Sequence, residues 1–319
     1  MSRTIGIFWL SAVCLLRSVG ALAAPPDDVP PLLKQDAVCT RCHDETERVP
    51  VLSIYKTRHG VKADSRAPNC QSCHGQSEQH VMNSAGSDPR PPTEVRFGAK
   101  GSASGTQNET CLTCHTAGQR AHWQGSEHQR SDLACTSCHQ VHTHRDRVLA
   151  KETQVEVCTT CHQTQGAQIH RISTHPLLEG RMSCSDCHNP HGSLGPNLMA
   201  KDSINETCYT CHAERRGPFL WEHSPVSENC TSCHTPHGSN NAAQLVKRTP
   251  WLCQECHTAD HARDVNSAAN LPGGDLTTVN GQLPVANQAP RQQMNGRNCL
   301  ACHAMVHGSN HPAGAKLSR

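Results

Sequence analysis

Residues 184–192 read Cys-Ser-Asp-Cys-His-Asn-Pro-His-Gly. Two cysteines three positions apart, a histidine directly after the second and another histidine three residues on form a unit that the chain repeats. Its first five positions, Cys-x-x-Cys-His, occur ten times: Cys39, Cys42, His43; Cys70, Cys73, His74; Cys111, Cys114, His115; Cys135, Cys138, His139; Cys158, Cys161, His162; Cys184, Cys187, His188; Cys208, Cys211, His212; Cys230, Cys233, His234; Cys253, Cys256, His257; and Cys299, Cys302, His303. Every cysteine after Cys14 belongs to one of these units, so none is left over for a disulfide.

Cys-x-x-Cys-His is the attachment motif of c-type haem. The two thiols add across the two porphyrin vinyl groups, one turn of chain spans them, and the adjacent histidine reaches the iron from the same face. The rival reading is zinc shared between Cys-x-x-Cys knuckles. Zinc does not require a histidine directly after the second cysteine, and histidine occupies 24 of 319 positions, so ten such placements by chance are negligible. A redox dithiol would occur once, beside a βαβ pattern. The sequence therefore predicts ten covalent haem c groups, with the ten motif histidines as proximal iron ligands.

The remaining histidines recur in register with the motifs. Taken in pairs, the motifs form five repeats, each with a histidine in the intervening loop and another shortly after the second motif. The loop set is His59, His128, His175, His223 and His261; the trailing set is His80, His142, His191, His237 and His307. These ten are the predicted distal ligands, although which serves which iron is not readable from spacing. His122, His144, His170 and His311 fall outside the register and read as surface residues or substitute ligands. The five methionines after Met1 hold no fixed offset from the motifs and read as packing. Iron with two histidine ligands is six-coordinate, which points to electron transfer; a multihaem reductase would need an open iron, and every motif here ends in histidine.

Composition agrees. Three Phe, four Trp and two Tyr in 319 residues, with a mean hydropathy of −0.59, are too little for a large side-chain core. The balance of 29 basic against 27 acidic residues leaves no nucleic-acid footprint and no acidic tail. Residues 1–23 read as a secretory signal, with Arg3, an apolar run from Ile5 to Leu16 and an Ala21-Leu22-Ala23 cleavage site. The mature chain, from Ala24, is expected to be exported and to lack a membrane span. Successive motifs start 31, 41, 24, 23, 26, 24, 22, 23 and 46 residues apart. So few residues per haem cannot insulate one from the next, and electrons can hop along the series. Short helices are expected near the motifs, for example over 152–161 and 204–211, with Pro-His-Gly segments as turns and almost no β-structure. Residues 83–108 and 264–298 read as loops.

Ten motifs in about 300 residues, an export signal and the Cys-His-x-Pro-His-Gly signatures at Cys187–Gly192 and Cys233–Gly238 resemble the periplasmic decahaem cytochromes of the MtrA/DmsE family. The resemblance covers essentially the whole mature chain. It implies a multihaem cytochrome c fold, short helices and loops around a near-linear chain of haems, with pentahaem halves at 24–165 and 166–319. It also implies a periplasmic protein that associates with the outer membrane through a β-barrel porin. Such a protein passes electrons between periplasmic or inner-membrane c-type cytochromes and extracellular donors or acceptors such as ferrous or ferric iron, often through an extracellular multihaem cytochrome. A free periplasmic shuttle or storage cytochrome is the alternative role. Direction of flow does not follow from sequence.

Overall fold

A computed structural model describes residues 31–61, 64, 66–83, 89–257, 298–312 and 314–318. The expected signal segment at 1–23, most of the 264–298 loop and His261 lie outside these residues.

The described chain consists of short helices and turns. The helices are α1 (Pro31–Thr40), α2 (Cys70–His74), α3 (Glu78–Met82), α4 (Ser104–Leu112), α5 (Glu127–Arg130), α6 (Lys151–Thr159), α7 (Gln163–Gln168), α8 (Ile204–Tyr209), α9 (Ser224–Glu228) and α10 (Trp251–Gln254). Among the described residues β-structure is limited to isolated bridges. The helices expected over 152–161 and 204–211 are α6 and α8. The loop expected through residue 108 ends sooner, because α4 begins at Ser104. Glycines surround that helix start, but Gln107 gathers them: its side-chain nitrogen donates to the Gly98 and Ser102 carbonyls, and its oxygen accepts from the Gly98 amide.

Only Trp123, Val155 and Ile169 are buried hydrophobics among the described residues, whereas the buried polar side chains include Asp36, Gln107, Asn108, Gln154 and Asn205. Those polar groups join the first, third, fifth and seventh motifs each to the next even one. Asp36, Asn108 and Asn205 each stand three residues before the first cysteine of an odd motif. Their side-chain oxygens accept the backbone N–H of Cys70, Cys135 and Cys230 at 2.9, 2.7 and 2.8 Å. In α6 that position is Val155, and Gln154 takes over, accepting the Ser185 N–H at 3.0 Å. A buried N–H left unpaired is costly, so each oxygen pins the start of the second motif against the helix of the first.

Repeats then dock on one another. Ser173 and Ser239 exchange two backbone hydrogen bonds of 2.9 Å, and Trp221 and Ser309 do the same one repeat later. Each bridge joins the residue two before a loop histidine to the residue two after the trailing histidine of the following repeat. Gly192 and Gly238 follow trailing histidines with φ of +109° and +136°; a Cβ there would lie 2.1 Å from the His122 carbonyl oxygen and 2.2 Å from that of Gln168. Only glycine permits both the backbone conformation and the approach. The expected division between residues 165 and 166 falls inside α7. Contacts bridge it, among them Lys151 to Asp186 and Gln154 to Ser185.

Candidate haem sites

Each motif begins as a tight turn in which the histidine N–H bonds the carbonyl of the first cysteine, for example 2.9 Å at His188 and 3.0 Å at His234. This turn puts both sulfurs and the imidazole on one side of the backbone. Nine of the ten motif imidazoles then meet a second one from elsewhere in the chain. Ring centroids are 6.0 Å apart for His43 and His80, 6.2 Å for His74 and His142, and 5.9 Å for His115 and His59. They are 6.1 Å apart for His139 and His191, 6.0 Å for His162 and His128, and 6.0 Å for His188 and His237. They are 6.3 Å apart for His212 and His175, 6.1 Å for His234 and His307, and 6.1 Å for His257 and His223.

These separations suit one metal ion between two imidazoles, since two metal–nitrogen bonds of about 2 Å leave the ring centres about 6 Å apart. Bare van der Waals contact between stacked rings would be closer. The nine distal candidates in these pairs are half-buried, whereas His122, His144, His170 and His311, outside the register, are all exposed.

The pairing has a direction. Loop histidines His59, His128, His175 and His223 reach forward to the first motif of the following repeat. Trailing histidines His142, His191, His237 and His307 reach back to the second motif of the preceding repeat. The exception is His80, which pairs with His43 inside its own repeat. Sequence spacing contains no trace of this exchange, because it is made in space between neighbouring repeats.

Second contacts orient the rings. His128, His175 and His223 present Nδ1 to the carbonyl oxygens of Pro190, Pro236 and Val306 at 2.7, 2.9 and 3.0 Å. Those carbonyls belong to the residues just before trailing histidines His191, His237 and His307. On the even motifs it is the motif histidine that is anchored: His74 on the Val95 carbonyl at 3.0 Å, His188 on Asn197 at 2.9 Å, His234 on Ala243 at 2.8 Å and His303 on Lys316 at 2.5 Å. His139 differs, with its Nδ1 donating to the Asp146 carboxylate at 2.7 Å. A carbonyl or carboxylate oxygen can only accept, so Nδ1 carries the proton and Nε2 keeps its lone pair for a metal. Burial pushes the His191 imidazole down to about 4, with His139 and Arg120 adding to the effect. Burial also lowers His74, His237 and His307. Neutral imidazole is the form that ligates iron.

The cysteines form an alternating series. The first thiol of each odd motif lies within hydrogen-bond reach of the first thiol of the next even motif: Cys39 and Cys70, Cys111 and Cys135, Cys158 and Cys184, Cys208 and Cys230, Cys253 and Cys299. Between repeats the second thiols are neighbours. Burial pushes Cys73, Cys138, Cys187 and Cys233 up, and the charges of Cys114, Cys161, Cys211 and Cys256 respectively add to the shift. Consecutive motifs, from the first to the tenth, therefore follow one another in space, with sulfurs in hydrogen-bond reach within each repeat and within electrostatic range between repeats.

The sequence reading missed the buried amide and carboxylate series of Asp36, Asn108 and Asn205, and it missed Asp146. The former had a signal, the recurrence of a short polar residue three positions before an odd motif; the latter had none.

Comparison with known proteins agrees with this chemistry. A doubled CXXCH motif model matches residues 175–217 and 223–262, and a model for cytochrome c-type proteins like NrfB matches residues 70–156. Multiheme cytochrome MtrA of Shewanella baltica (strain OS185) is 46% identical over 287 residues, covering 88% of this chain and 80% of that protein. Cytochrome c-type protein NrfB of Escherichia coli O6:H1 is 31% identical over 171 residues, covering 47% of this chain and 82% of that protein. The chain belongs to the MtrA family of multihaem cytochromes, electron-transfer proteins and not enzymes, and its Cys-x-x-Cys-His units bind haem c covalently.

Proposed function

We propose that the protein is the conducting element of an outer-membrane conduit. In this reading it is an exported chain of ten haem c groups, held inside a β-barrel porin, that carries electrons between periplasmic or inner-membrane c-type cytochromes and an extracellular partner. The observation that carries this reading is the unbroken sulfur series from Cys39 to Cys299, in which no motif is skipped. A storage protein needs many redox groups but no fixed order; conduction from end to end needs each group next to the following one.

Each bound haem supplies a one-electron iron couple at a fixed place. The chain's own residues do the rest. The cysteines would hold the groups next to one another, and each imidazole pair would supply two ligands to one iron, leaving no position for water or substrate. Accordingly we assign His80, His142, His59, His191, His128, His237, His175, His307 and His223 as distal partners of His43, His74, His115, His139, His162, His188, His212, His234 and His257. His261 then remains for His303. The two pentahaem halves, 24–165 and 166–319, act in series and share the fourth site, since His139 and His191 come from opposite sides of the division.

Reconstitution with its porin in liposomes, with a reducible dye inside and a reductant outside, is expected to show dye reduction that requires both proteins. Transfer absent from the complex, in protein carrying ten haems by pyridine haemochrome, would overturn the conduit reading.

A further inference from the structure

The even-numbered sites solve one problem in two ways. His188, His234 and His303 are each anchored by a backbone carbonyl, and the backbone enters the left-handed region to aim it. Asn197 and Leu198 have φ of +53° and +57°, Ala243 and Gln244 have +53° and +54°, and Leu317 after Lys316 has +53°. At the fourth motif the corresponding segment stays extended at Asp146, with φ −73° and ψ 119°, and the side chain does the anchoring. Its Oδ2 accepts from His139 Nδ1 at 2.7 Å, while Oδ1 faces the amides of Gln140 and Val148 at 3.3 and 3.4 Å.

The difference is one of charge. A carbonyl offers a dipole, whereas Asp146 offers a full negative charge whose side chain is 12% exposed. Its neighbours do not cancel it, because Arg145 turns to Glu152 and Arg147 to Glu156. A carboxylate acceptor draws the Nδ1 proton and makes the imidazole a stronger electron donor to its metal, which favours the ferric state. The first motif also has a carboxylate on its histidine, Glu47 on His43 at 2.7 Å, but there the carboxylate side chain is 41% exposed and better screened by water.

We propose that Asp146 is a positioning residue that holds the haem of the fourth motif at a lower potential than those of the sixth and eighth. It would thereby place a step inside the chain, next to the shared site between the two halves. Passage through the step moves one electron. The fourth iron becomes ferrous as the third or fifth returns to ferric, no bond forms or breaks, and the proton stays on His139 Nδ1. The proposal rests on His139 and His191 holding the fourth haem.

The test is a spectroelectrochemical titration of the full holoprotein, comparing wild type, Asp146→Asn and Asp186→Asn. Asparagine keeps an oxygen acceptor of the same shape and removes the charge. Asp186 is a second partly buried carboxylate, inside the sixth motif between Cys184 and Cys187, but it pairs with Lys151 and anchors no imidazole. For Asp146→Asn, one-tenth of the α-band amplitude is expected to move up from the low-potential part of the curve. The ratio of reduced to oxidised haem in that fraction should change at least tenfold at fixed potential, equivalent to about 59 mV for one electron. Asp186→Asn should move less. Superimposable Asp146→Asn and wild-type curves, or an equal shift in Asp186→Asn, would overturn the proposal. Should Asp146→Asn fail to mature, EPR-monitored titration of the wild type decides: one near-parallel bis-histidine signal must reduce below the others of its class, and its absence refutes the step. Failure of the underlying ligand reading would look different, as fewer than ten haems or a high-spin signal in the wild type itself.

Discussion

Asn205 is 7% exposed, yet it stands where a conventional helix would bury a leucine. Its Nδ2 donates to the Val226 and Ser227 carbonyls at 2.9 and 3.2 Å, and its Oδ1 accepts from the Cys230 amide. Asn205→Leu would keep the branching at Cγ and strand all three partners, at a cost of about 1 to 3 kcal/mol for each buried group left unpaired. The expected result is a lowered thermal midpoint in calorimetry with unchanged haem content. Histidines respond differently, because their loss opens a coordination position. His191→Ala should convert one low-spin haem to a high-spin form that binds carbon monoxide, read as a new band in the reduced difference spectrum, with the other haems unaffected. The same substitution at exposed His170, outside the register, should leave the spectrum unchanged.

At the scale of elements, the turns after trailing histidines carry the packing between repeats. Gly238→Val should fail to deliver mature holoprotein, since its side chain meets the Gln168 carbonyl at 2.2 Å from Cβ onward and its φ of +136° suits glycine alone. Gly105 in α4 has ordinary φ, and an added methyl group there would meet nothing within 4 Å, so Gly105→Ala should raise stability by up to about 1 kcal/mol. The two glycines thus separate a packing requirement from a mere tolerance, by holoprotein yield and by thermal midpoint. Ring planes differ between elements as well. The first, second, fourth, sixth, eighth and ninth motifs have interplanar angles of 10°, 26°, 9°, 15°, 14° and 26°, whereas the third, fifth and seventh have 80°, 67° and 55°. Parallel imidazoles act on one iron d orbital and crossed ones on two, so ferric EPR is expected to show two families of low-spin signal.

For the whole molecule, order matters more than number. On the proposed ten-haem reading, replacing Cys135 and Cys138 by alanine would delete the fourth haem while leaving the nine others. A conduit would lose nearly all transmembrane transfer in the liposome assay, because the third and fifth groups are no longer bridged. A storage cytochrome would lose about one-tenth of its capacity, one equal share of ten attachment sites. Measuring both quantities on one preparation separates the two roles. On the proposed ligation, the described residues can include so few buried hydrophobics because covalent attachment and paired ligation couple folding to cofactor binding, and the exchanged histidines make each repeat depend on the next.

The amino-acid sequence by itself determined the cofactor and, for the described residues, the near absence of β-structure, and it named the candidate attachment points. Those follow from residue types at fixed short spacing and from the poverty of aromatic side chains. It also marked a register of extra histidines, since repetition is visible without coordinates. Only the tertiary structure decided that His128 faces His162 and that His191 faces His139, because these pairs span 34 and 52 residues and depend on how repeats dock. Likewise, Asp36 and Asn108 reveal their role only once a second motif closes over them. Asp146 lies seven residues beyond His139 with no motif around it, and its significance appears only when the loop folds back to bring carboxylate and imidazole within 2.7 Å. Short-range chemistry is written in the order of residues, whereas the partner of each group is settled by the three-dimensional contact of segments that sequence alone keeps apart.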